Sequence, residues 1–524
     1  MSSVVATGSD AGHAAGHNRP LLVVAALMLS SFTVGFDTRV FSVGLTDLRG
    51  AFDLSVDQAS WLATFAAAPQ IFIAPAVAWL VTVFGVRRVM VGPCLVYAVI
   101  SLIIPFMHGL GALIALHIVR ALLLGVFIPA TIMITLRNLD RRYWIIGLAI
   151  YSMRLPLSQN LGVFLVGLYT EHLGLEWLYW QDVFLTPLTA LLIVLGATRE
   201  PIDKAQLATA DWGGMLLLGS SMTMIYVGLD QGLRLNWFQS GTVTVLLIAG
   251  GLLAIAFVIN ERIVRHPWAH TSVLASKNLV LGFAAIVLFI VAASPTFLLI
   301  PGYLETVVGL RPVQIGDLYI PAVIFPLFLS IALAAFVLHI LDARWGLIIG
   351  FTCMGVGSLL ATPLTGVWAL QNFTVLVIIQ IVGQGFTLLS AITYILSNAD
   401  PKKSTANAAY VQVVRLGGAE LSATLMATFV SKREQFHSNV LGTHVTEAAP
   451  ATEKVLSTLR PIFQTISEAP SADALVTLSK QVSAQAYVLA YADGFLISFW
   501  AAIAGLVLAS LMGQAPEGPL SPRR

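Results

Sequence analysis

Charged residues are scarce in this sequence: they make up 10% of its 524 residues, whereas 57% are hydrophobic. Soluble domains carry roughly 25% charged residues, so this chain lacks the polar surface that a water-soluble fold needs. The formal net charge of +2 provides no basic field for a nucleic acid, and we expect no such partner. The two cysteines, Cys94 and Cys353, both lie in apolar runs, which excludes a disulfide framework and a thiolate metal cluster.

Long apolar runs, in contrast, are abundant, and a helix that spans a bilayer needs about 20 mostly apolar residues. The candidate spans are 21–44, 59–84, 89–107, 110–136, 143–170, 177–197, 212–229, 241–260, 278–303, 318–341, 345–366, 372–397, 404–430 and 486–512. The pattern predicts an all-α polytopic protein of fourteen helices in a lipid bilayer. The predicted regions are a tail at 1–20, a six-helix bundle at 21–200, two inserted helices at 201–277, a second six-helix bundle at 278–512 and a tail at 513–524. A long outer loop at 431–486 lies within the second bundle.

The basic residues predict the orientation of the chain. If the N-terminus is cytoplasmic, the inner loops and tails hold sixteen Lys and Arg residues, and the short outer loops hold only Arg49, Arg234 and Arg311. Such a bias is typical of the positive-inside rule. We therefore expect a bacterial inner membrane protein with both termini in the cytoplasm, and a periplasmic loop at 431–486.

The two predicted bundles contain a weak internal repeat. Residues 152–155 (Ser-Met-Arg-Leu) resemble residues 413–416 (Val-Val-Arg-Leu), and the pair Ile-Val at 118–119 recurs at 381–382. These matches share an offset of about 260 residues, which superposes the first five spans on spans nine to thirteen. A parallel repeat of this kind is typical of the two halves of major facilitator transporters.

Four short stretches resemble the EmrB/QacA-type fourteen-helix drug–proton antiporters of the major facilitator superfamily. They lie at Gly35–Thr38, at Leu229–Gly232 with Asn236–Phe238, at Asn260–Glu261 with His266–Pro267 and Ser276–Asn278, and at Pro301–Glu305 with Gly309. The resemblance implies two six-helix bundles with two inserted helices, and export of small amphipathic molecules such as drugs or aromatic acids. It implies no cofactor, with a proton gradient as the energy source. A periplasmic membrane-fusion adaptor is a candidate partner that the sequence leaves open.

Two motifs depart from the superfamily pattern. The loop between spans two and three keeps Gly85, Arg87 and Arg88 of a gating motif, but Ala78 and Thr82 stand where glycine and aspartate are expected. The antiporter motif of the fifth span is reduced to residues 159–162 (Gln-Asn-Leu-Gly). Both losses concern the antiport mechanism rather than the fold.

Ionisable groups inside a span cost about 2.5–3.5 kcal/mol each, so they usually have a function or a partner. Asp37 and Arg120 lie at similar depths below the predicted outer face, and Arg120 matches a fourth-span arginine of the resembled family. We expect Asp37 and Arg120 to form a proton-linked pair. Asp182 lies near a helix start, where it could reach the interface. Glu420 is a second candidate proton site or a partner of Arg415.

Arginines near the membrane midplane are candidates for substrate binding. Arg154 and Arg415 occupy equivalent positions in the repeat, about eleven residues into their spans. Two cations that face one cavity would hold an anion, which favours an acidic substrate. Arg39 follows Asp37 by two residues, on another face of the helix, and is the third candidate.

Three functions compete at this point. The first is a proton-coupled secondary exporter, since the sequence has no Gly-x-x-x-x-Gly-Lys-Ser/Thr run for ATP. The second is a facilitator or sensor of the same fold without proton coupling. The third is a membrane-embedded enzyme, but the 431–486 segment shows no nucleophile and base, so we expect no catalytic residue and no metal site.

Overall fold

The computed structural model describes residues 19–138, 143–400, 403–446, 449–464 and 469–514. Within the helices, the described side chains do not include those of Thr38, Arg39, Ser42, Ile128, Ile132, Leu136, Arg137, Asn138, Leu155, Gln159, Asn160, Ser404 and Ala451. The described residues are almost entirely helical and contain no strand.

Fourteen long helices follow one another along the described chain. They are α1 (Pro20–Val43), α2 (Val56–Phe84), α3 (Val86–Ile103), α4 (Leu110–Asn138), α5 (Trp144–Leu168), α6 (Trp177–Gly196), α7 (Trp212–Asp230), α8 (Gly241–Ile263), α9 (Lys277–Ser294), α10 (Pro312–Ile340), α11 (Ala343–Leu360), α12 (Thr374–Asn398), α13 (Ser404–Gly442) and α14 (Pro470–Leu511). Thirteen of these are long and apolar enough to cross a membrane. The remaining helix, α5, has 25 residues and lies where the fifth span is predicted. The predicted all-α polytopic fold is confirmed.

Local signals explain several helix boundaries. Ser55 caps α2 in a reciprocal pair of hydrogen bonds with Gln58, which satisfies two backbone donors at the helix start. Gly85 alone separates α2 from α3 and has a φ of 78°, a conformation that favours glycine. Beyond α9 the helix continues through a wide turn that begins at Pro295, so the whole apolar segment runs from Lys277 to Val308.

The two bundles meet tightly where α5 packs against α10. A Cβ added to Gly167 would lie 2.3 Å from Val313 Cγ2, and one added to Gly316 would lie 2.6 Å from the Cβ of Phe164. These glycines therefore allow the two helices to approach at backbone distance. The contact joins the fifth span of the first bundle to the second span of the other bundle.

The inserted helices α7 and α8 pack on each other and on the first bundle. Ser221 of α7 donates a hydrogen bond of 2.8 Å to the carbonyl of Gly250 in α8. Gly219 of α7 lies against α2, where an added Cβ would be 2.6 Å from the carbonyl oxygen of Phe72. Helix α7 also contacts α13, through Met222 beside Gly417. This arrangement places an inserted helix next to both bundles.

The segment at 431–486, which the sequence predicts to be a long loop, is mostly helical in its described part. Helix α13 continues to Gly442, a separate helix covers Pro450–Gln464, and α14 begins at Pro470. These pieces enclose a small apolar core of Leu456, Ala474 and Leu478. At 1.5 Å per residue the 42-residue α14 is about 63 Å long, roughly twice the 30 Å hydrocarbon core. Hydropathy missed these extensions because they contain more polar residues than a membrane span.

Candidate functional site

Three buried charges from three helices meet inside the first bundle. Arg120 Nη2 on α4 lies 2.7 Å from Asp37 Oδ1 on α1 and 2.7 Å from Asp182 Oδ2 on α6. The Nε of Arg120 donates to Ser101 Oγ on α3 at 3.0 Å. The three charged side chains are 4% exposed or less, so water cannot solvate them and each depends on the others. We call Asp37, Arg120 and Asp182 the charge triad.

Aromatic side chains close around the charge triad. Tyr97 donates a hydrogen bond to Asp37 Oδ2, and its ring lies 4.5 Å from the guanidinium carbon of Arg120. The ring of Tyr179 lies 5.2 Å from the same carbon, and its hydroxyl is 3.2 Å from His117 Nε2. Cations gain electrostatic stabilisation over such ring faces. The shell therefore holds the guanidinium while it excludes bulk water.

Asp182 is the member of the triad that the sequence did not identify. The expectation that it reaches the membrane interface is wrong, because its side chain is fully buried. Asp182 is the sixth residue of α6, and Arg120 is the eleventh residue of α4, which begins at the same face of the protein. A comparison of these two depths along the sequence would have indicated that Asp182 can reach Arg120. Asp37 and Arg120, in contrast, lie in contact, and their role in proton coupling stays a prediction.

Two members of the charge triad, Asp37 and Arg120, border a central cavity of about 350 Å³ between the two bundles. Its apolar wall includes Ile71, Leu124, Phe289, Ile290, Phe297 and Leu416. Its charged lining consists of Asp37, Arg120, Arg154, Asp230, Arg415 and Glu420. An apolar cavity with a few convergent polar groups is typical of a small-molecule site, and its volume is at the low end of the usual range of about 300–1,000 Å³.

Arg154 and Arg415, both predicted to bind substrate, line this cavity together. They are 5% and 6% exposed. The Nε and Nη2 of Arg415 donate to Gln412 Oε1 at 3.1 and 2.9 Å, and the guanidinium carbon of Arg154 lies 5.7 Å from the ring centre of Tyr151. Among the described residues no carboxylate lies within 4 Å of either guanidinium, so Glu420 does not form an ion pair with Arg415. The third candidate, Arg39, has a side chain that lies outside the described residues.

Glu420 lines the cavity with a second acid, Asp230, which comes from the inserted helix α7. Glu420 accepts a hydrogen bond of 3.0 Å from Thr424 on its own helix. Asp230 accepts hydrogen bonds from Thr64 on α2 and from Gln231. The sequence provided Asp230 only as part of the Leu-Asp-Gln-Gly resemblance at 229–232. The structure shows that an inserted helix contributes a charge to the cavity.

The predicted gating loop joins α2 and α3 at Gly85. Arg88 Nη1 donates to the carbonyls of Phe84, at 3.2 Å, and Glu200, at 2.8 Å. Both partners belong to the first bundle, so Arg88 ties the α2–α3 turn to the end of α6. Arg87 lines a shallow surface pocket beside it. In place of the missing acid, Thr82 donates to the carbonyl of Ala78 at 2.8 Å.

A polytopic helical protein whose central cavity carries buried charges from both halves has the architecture of a membrane transporter. The family model described as Major Facilitator Superfamily matches residues 27–421, and the chain belongs to this superfamily. The chain is 22% identical over 488 residues to the "Multidrug export protein EmrB" of Escherichia coli K12, an alignment that covers 91% of this chain and 92% of the relative. The resemblance to EmrB-type proteins is thereby confirmed.

Two further comparisons are of narrower scope. The chain is 24% identical over 310 residues to the "Probable multidrug resistance protein EmrY" of Escherichia coli K12, and this alignment covers 59% of the chain and only 60% of that relative. The crystal structure of the human organic anion transporter MFSD10 superposes with a TM-score of 0.52 at 12% identity, and the match covers 93% of this chain and 100% of that one. At such identity this likeness shows the fold alone. The family and the fold are those of transporters.

Proposed function

We propose that the protein is a secondary exporter that moves small amphipathic molecules out of the cytoplasm in exchange for protons. The observation that carries the proposal is the charge triad, which places two buried carboxylates on one nitrogen of one guanidinium. When both acids are ionised, the triad bears one excess negative charge. A single proton neutralises it.

Protonation also changes how the helices are held together. Asp37 and Asp182 attach α1 and α6 to Arg120 on α4, and a proton on either carboxyl weakens one of these ties. The ties lie in the half of the bundle near the predicted outer face, so proton binding from that side loosens the helices that border the cavity. Bound substrate and bound proton thereby favour different arrangements of α1, α4 and α6, which is the requirement for exchange.

The names of the relatives EmrB and EmrY support export of several drug-like molecules rather than uptake of one nutrient. The predicted positive-inside bias supports an inner-membrane location with cytoplasmic termini. The helical segment at 431–486 then lies on the periplasmic side, where it offers a surface for a membrane-fusion adaptor. No chemical reaction is part of this proposal, and the proton gradient supplies the energy.

Transport in proteoliposomes with and without an imposed pH gradient tests this function. Ethidium and 8-anilinonaphthalene-1-sulfonate serve as cationic and anionic probes. We expect the wild-type protein to concentrate at least one probe only when the gradient is present. Asp37→Asn and Asp182→Asn should abolish this accumulation, while Asp47→Asn, a matched change at an exposed carboxylate, should leave it intact.

Equilibration of the probes without concentration would favour the alternative of an uncoupled facilitator. Accumulation by Asp37→Asn and Asp182→Asn at the wild-type level would remove the charge triad from the coupling mechanism.

A further inference from the structure

A second pocket, of about 170 Å³, lies at the predicted cytoplasmic ends of α2 and α13, and none of its described lining residues lines the central cavity. Trp79 on its wall belongs to α2 of the first bundle, whereas Thr405 and Ala406 belong to α13 of the second. The rest of the lining comes from the segments that flank the inserted helices, within 206–211 and 266–270. A ligand in this pocket therefore contacts both bundles and the inserted pair.

Helix α13 begins at this pocket. The first backbone N–H groups of any α-helix have no acceptor inside the helix, and Lys403, the residue before α13, provides no side-chain cap for them. Thr405 and Ala406, in the first turn, line the pocket. The aligned peptide dipoles of the 39-residue helix also place a partial positive charge at this end. The start of α13 therefore favours an anion.

A buried donor without an acceptor lies on the wall of the same pocket. Trp268 lines it and is 6% exposed, yet its indole Nε1 has no hydrogen-bond partner among the described residues. The indole nitrogen can donate a hydrogen bond but cannot accept one. Because buried polar groups are nearly always hydrogen-bonded, this N–H indicates an acceptor that a ligand supplies.

The basic side chains of the pocket provide further donors. The ammonium of Lys403 donates to Ser272 Oγ at 2.9 Å and has two more N–H groups. The imidazoles of His266 and His270 also line the pocket, and each carries at least one N–H donor. The lining is therefore rich in donors from three separate parts of the chain.

The acids of this region already have partners within the protein. Asp211 is the one carboxylate among the described lining residues, and its two oxygens accept from the backbone N–H of Gly214 and from Asn260 Nδ2, each at 2.8 Å. Glu261 lies beside Asp211 but does not line the pocket, and its Oε2 accepts from the backbone N–H of Ala269 at 3.2 Å. No group of three His, Cys, Asp or Glu side chains in the described part of the chain could hold a metal ion. The pocket therefore fits an anion better than a cation.

We propose that this pocket binds a phosphate group, held by the N-terminus of α13, the indole N–H of Trp268 and the ammonium of Lys403. A tetrahedral phosphate has several acceptor oxygens, so it accepts from donors on different elements at once. A water molecule takes up about 30 Å³ of liquid, so the pocket has room for one phosphate group with a few waters.

Occupancy of this site links α13 of the second bundle to the loop that follows the inserted helices. A bound phosphate group therefore favours the present arrangement of the bundles over one in which α13 moves away from that loop. The group is supplied either by free inorganic phosphate or by the headgroup of a phospholipid in the inner leaflet. Binding here requires neither a transported substrate nor a proton, so it does not depend on the proposed transport function.

Equilibrium binding of radiolabelled inorganic phosphate to the full-length protein tests the proposal. Dodecyl maltoside micelles contain no phosphate, and protein-free micelles give the background. We expect saturable binding at a single site, with competition by sulfate but not by chloride at equal ionic strength. Trp268→Phe, which keeps an apolar ring and removes the N–H, and Lys403→Gln should each weaken phosphate binding about tenfold or more, the usual effect of losing a hydrogen bond to a charged group.

A further variant tests the site without weakening the fold. Thr405→Glu places a carboxylate in the first turn of α13, where a negative charge stabilises a helix, and this carboxylate should take the place of the ligand. We expect it to abolish phosphate binding without a fall in the unfolding temperature, even if Trp268→Phe or Lys403→Gln fails to fold. Lys277→Gln, at an exposed lysine at the start of α9, and Trp345→Phe, at a 52% exposed tryptophan, should bind phosphate like the wild-type protein.

Phospholipids added to the micelles distinguish the two sources of the phosphate group. Competition by phosphatidylglycerol but not by phosphatidylcholine would support the site as one for an anionic headgroup, whereas competition by neither would support it as one for the free ion. No saturable phosphate binding would overturn the proposal. So would unchanged phosphate binding in Thr405→Glu and Trp268→Phe, or chloride that competes as well as sulfate.

Discussion

Removal of the Arg120 guanidinium should destabilise the protein by leaving two carboxylates unpaired. The side chains of Asp37 and Asp182 are 1% and 0% exposed, so neither can recover its lost partner by hydration. Breaking a buried ion pair by removing one partner costs about 3–5 kcal/mol. The destabilisation caused by Arg120→Leu should fall in this range, since leucine also cannot form the hydrogen bond to Ser101.

This explanation of the lost stability is tested by also removing the two unpaired carboxylates. In a triple variant that combines Arg120→Leu with Asp37→Asn and Asp182→Asn, the site is neutral. Replacement of a buried ionic group by neutral residues of similar volume is often close to neutral in stability. The triple variant should therefore recover most of the loss, even though it contains more substitutions than the single variant.

The assay can use a cysteine that already lies near the triad. Cys94 on α3 is fully buried, one turn before Tyr97, and is therefore unreactive until the bundle opens. In a Cys353→Ser background, a dye that fluoresces on reaction with thiols reports the unfolding temperature through Cys94 alone. Arg49→Leu, at an exposed arginine, is the matched control. An unchanged unfolding temperature in Arg120→Leu, or a triple variant less stable than the single one, would refute this account of the triad.

Two further predictions concern topology and packing. Reporter fusions should indicate an outer location at Gly109 and Gly174 and a cytoplasmic one at Arg142 and Lys402. Reversal at any two sites would contradict the predicted orientation. Gly316→Val should destabilise the α5–α10 contact by about 1–3 kcal/mol, because the new side chain meets Phe164 at 2.6 Å. Gly251→Val, with nothing within 4 Å, is the control, and equal unfolding temperatures would show that the close approach is unimportant.

Much of the fold could be predicted from the sequence because each span is defined by its own apolar residues. A helix in a bilayer satisfies its backbone hydrogen bonds internally, so hydropathy and length identify it without knowledge of its neighbours. The same reasoning failed at 431–486, where α13, α14 and the helix at Pro450–Gln464 support one another outside the hydrocarbon core. There the stabilising contacts lie between helices, and hydropathy in a window cannot detect them.

The sequence also indicated which charges matter, since an ionisable residue in an apolar run needs no structure to be recognised as costly. It predicted Asp37 with Arg120 from their depths and from the family resemblance, and it selected Arg154 and Arg415. It also identified Glu420, but it did not show that Glu420 lies too far from Arg415 to form an ion pair.

Only the tertiary structure decided which charges are neutralised and which are not. Whether Asp182 reaches water or Arg120 depends on how α6 is rotated against α4, and this rotation is set by packing across the bundle. The contribution of Asp230 depends in the same way on how α7 docks against α2 and α13. Whether two buried charges form an ion pair depends on the distance between helices that are far apart in the chain. Residue type and spacing along one helix do not determine that distance.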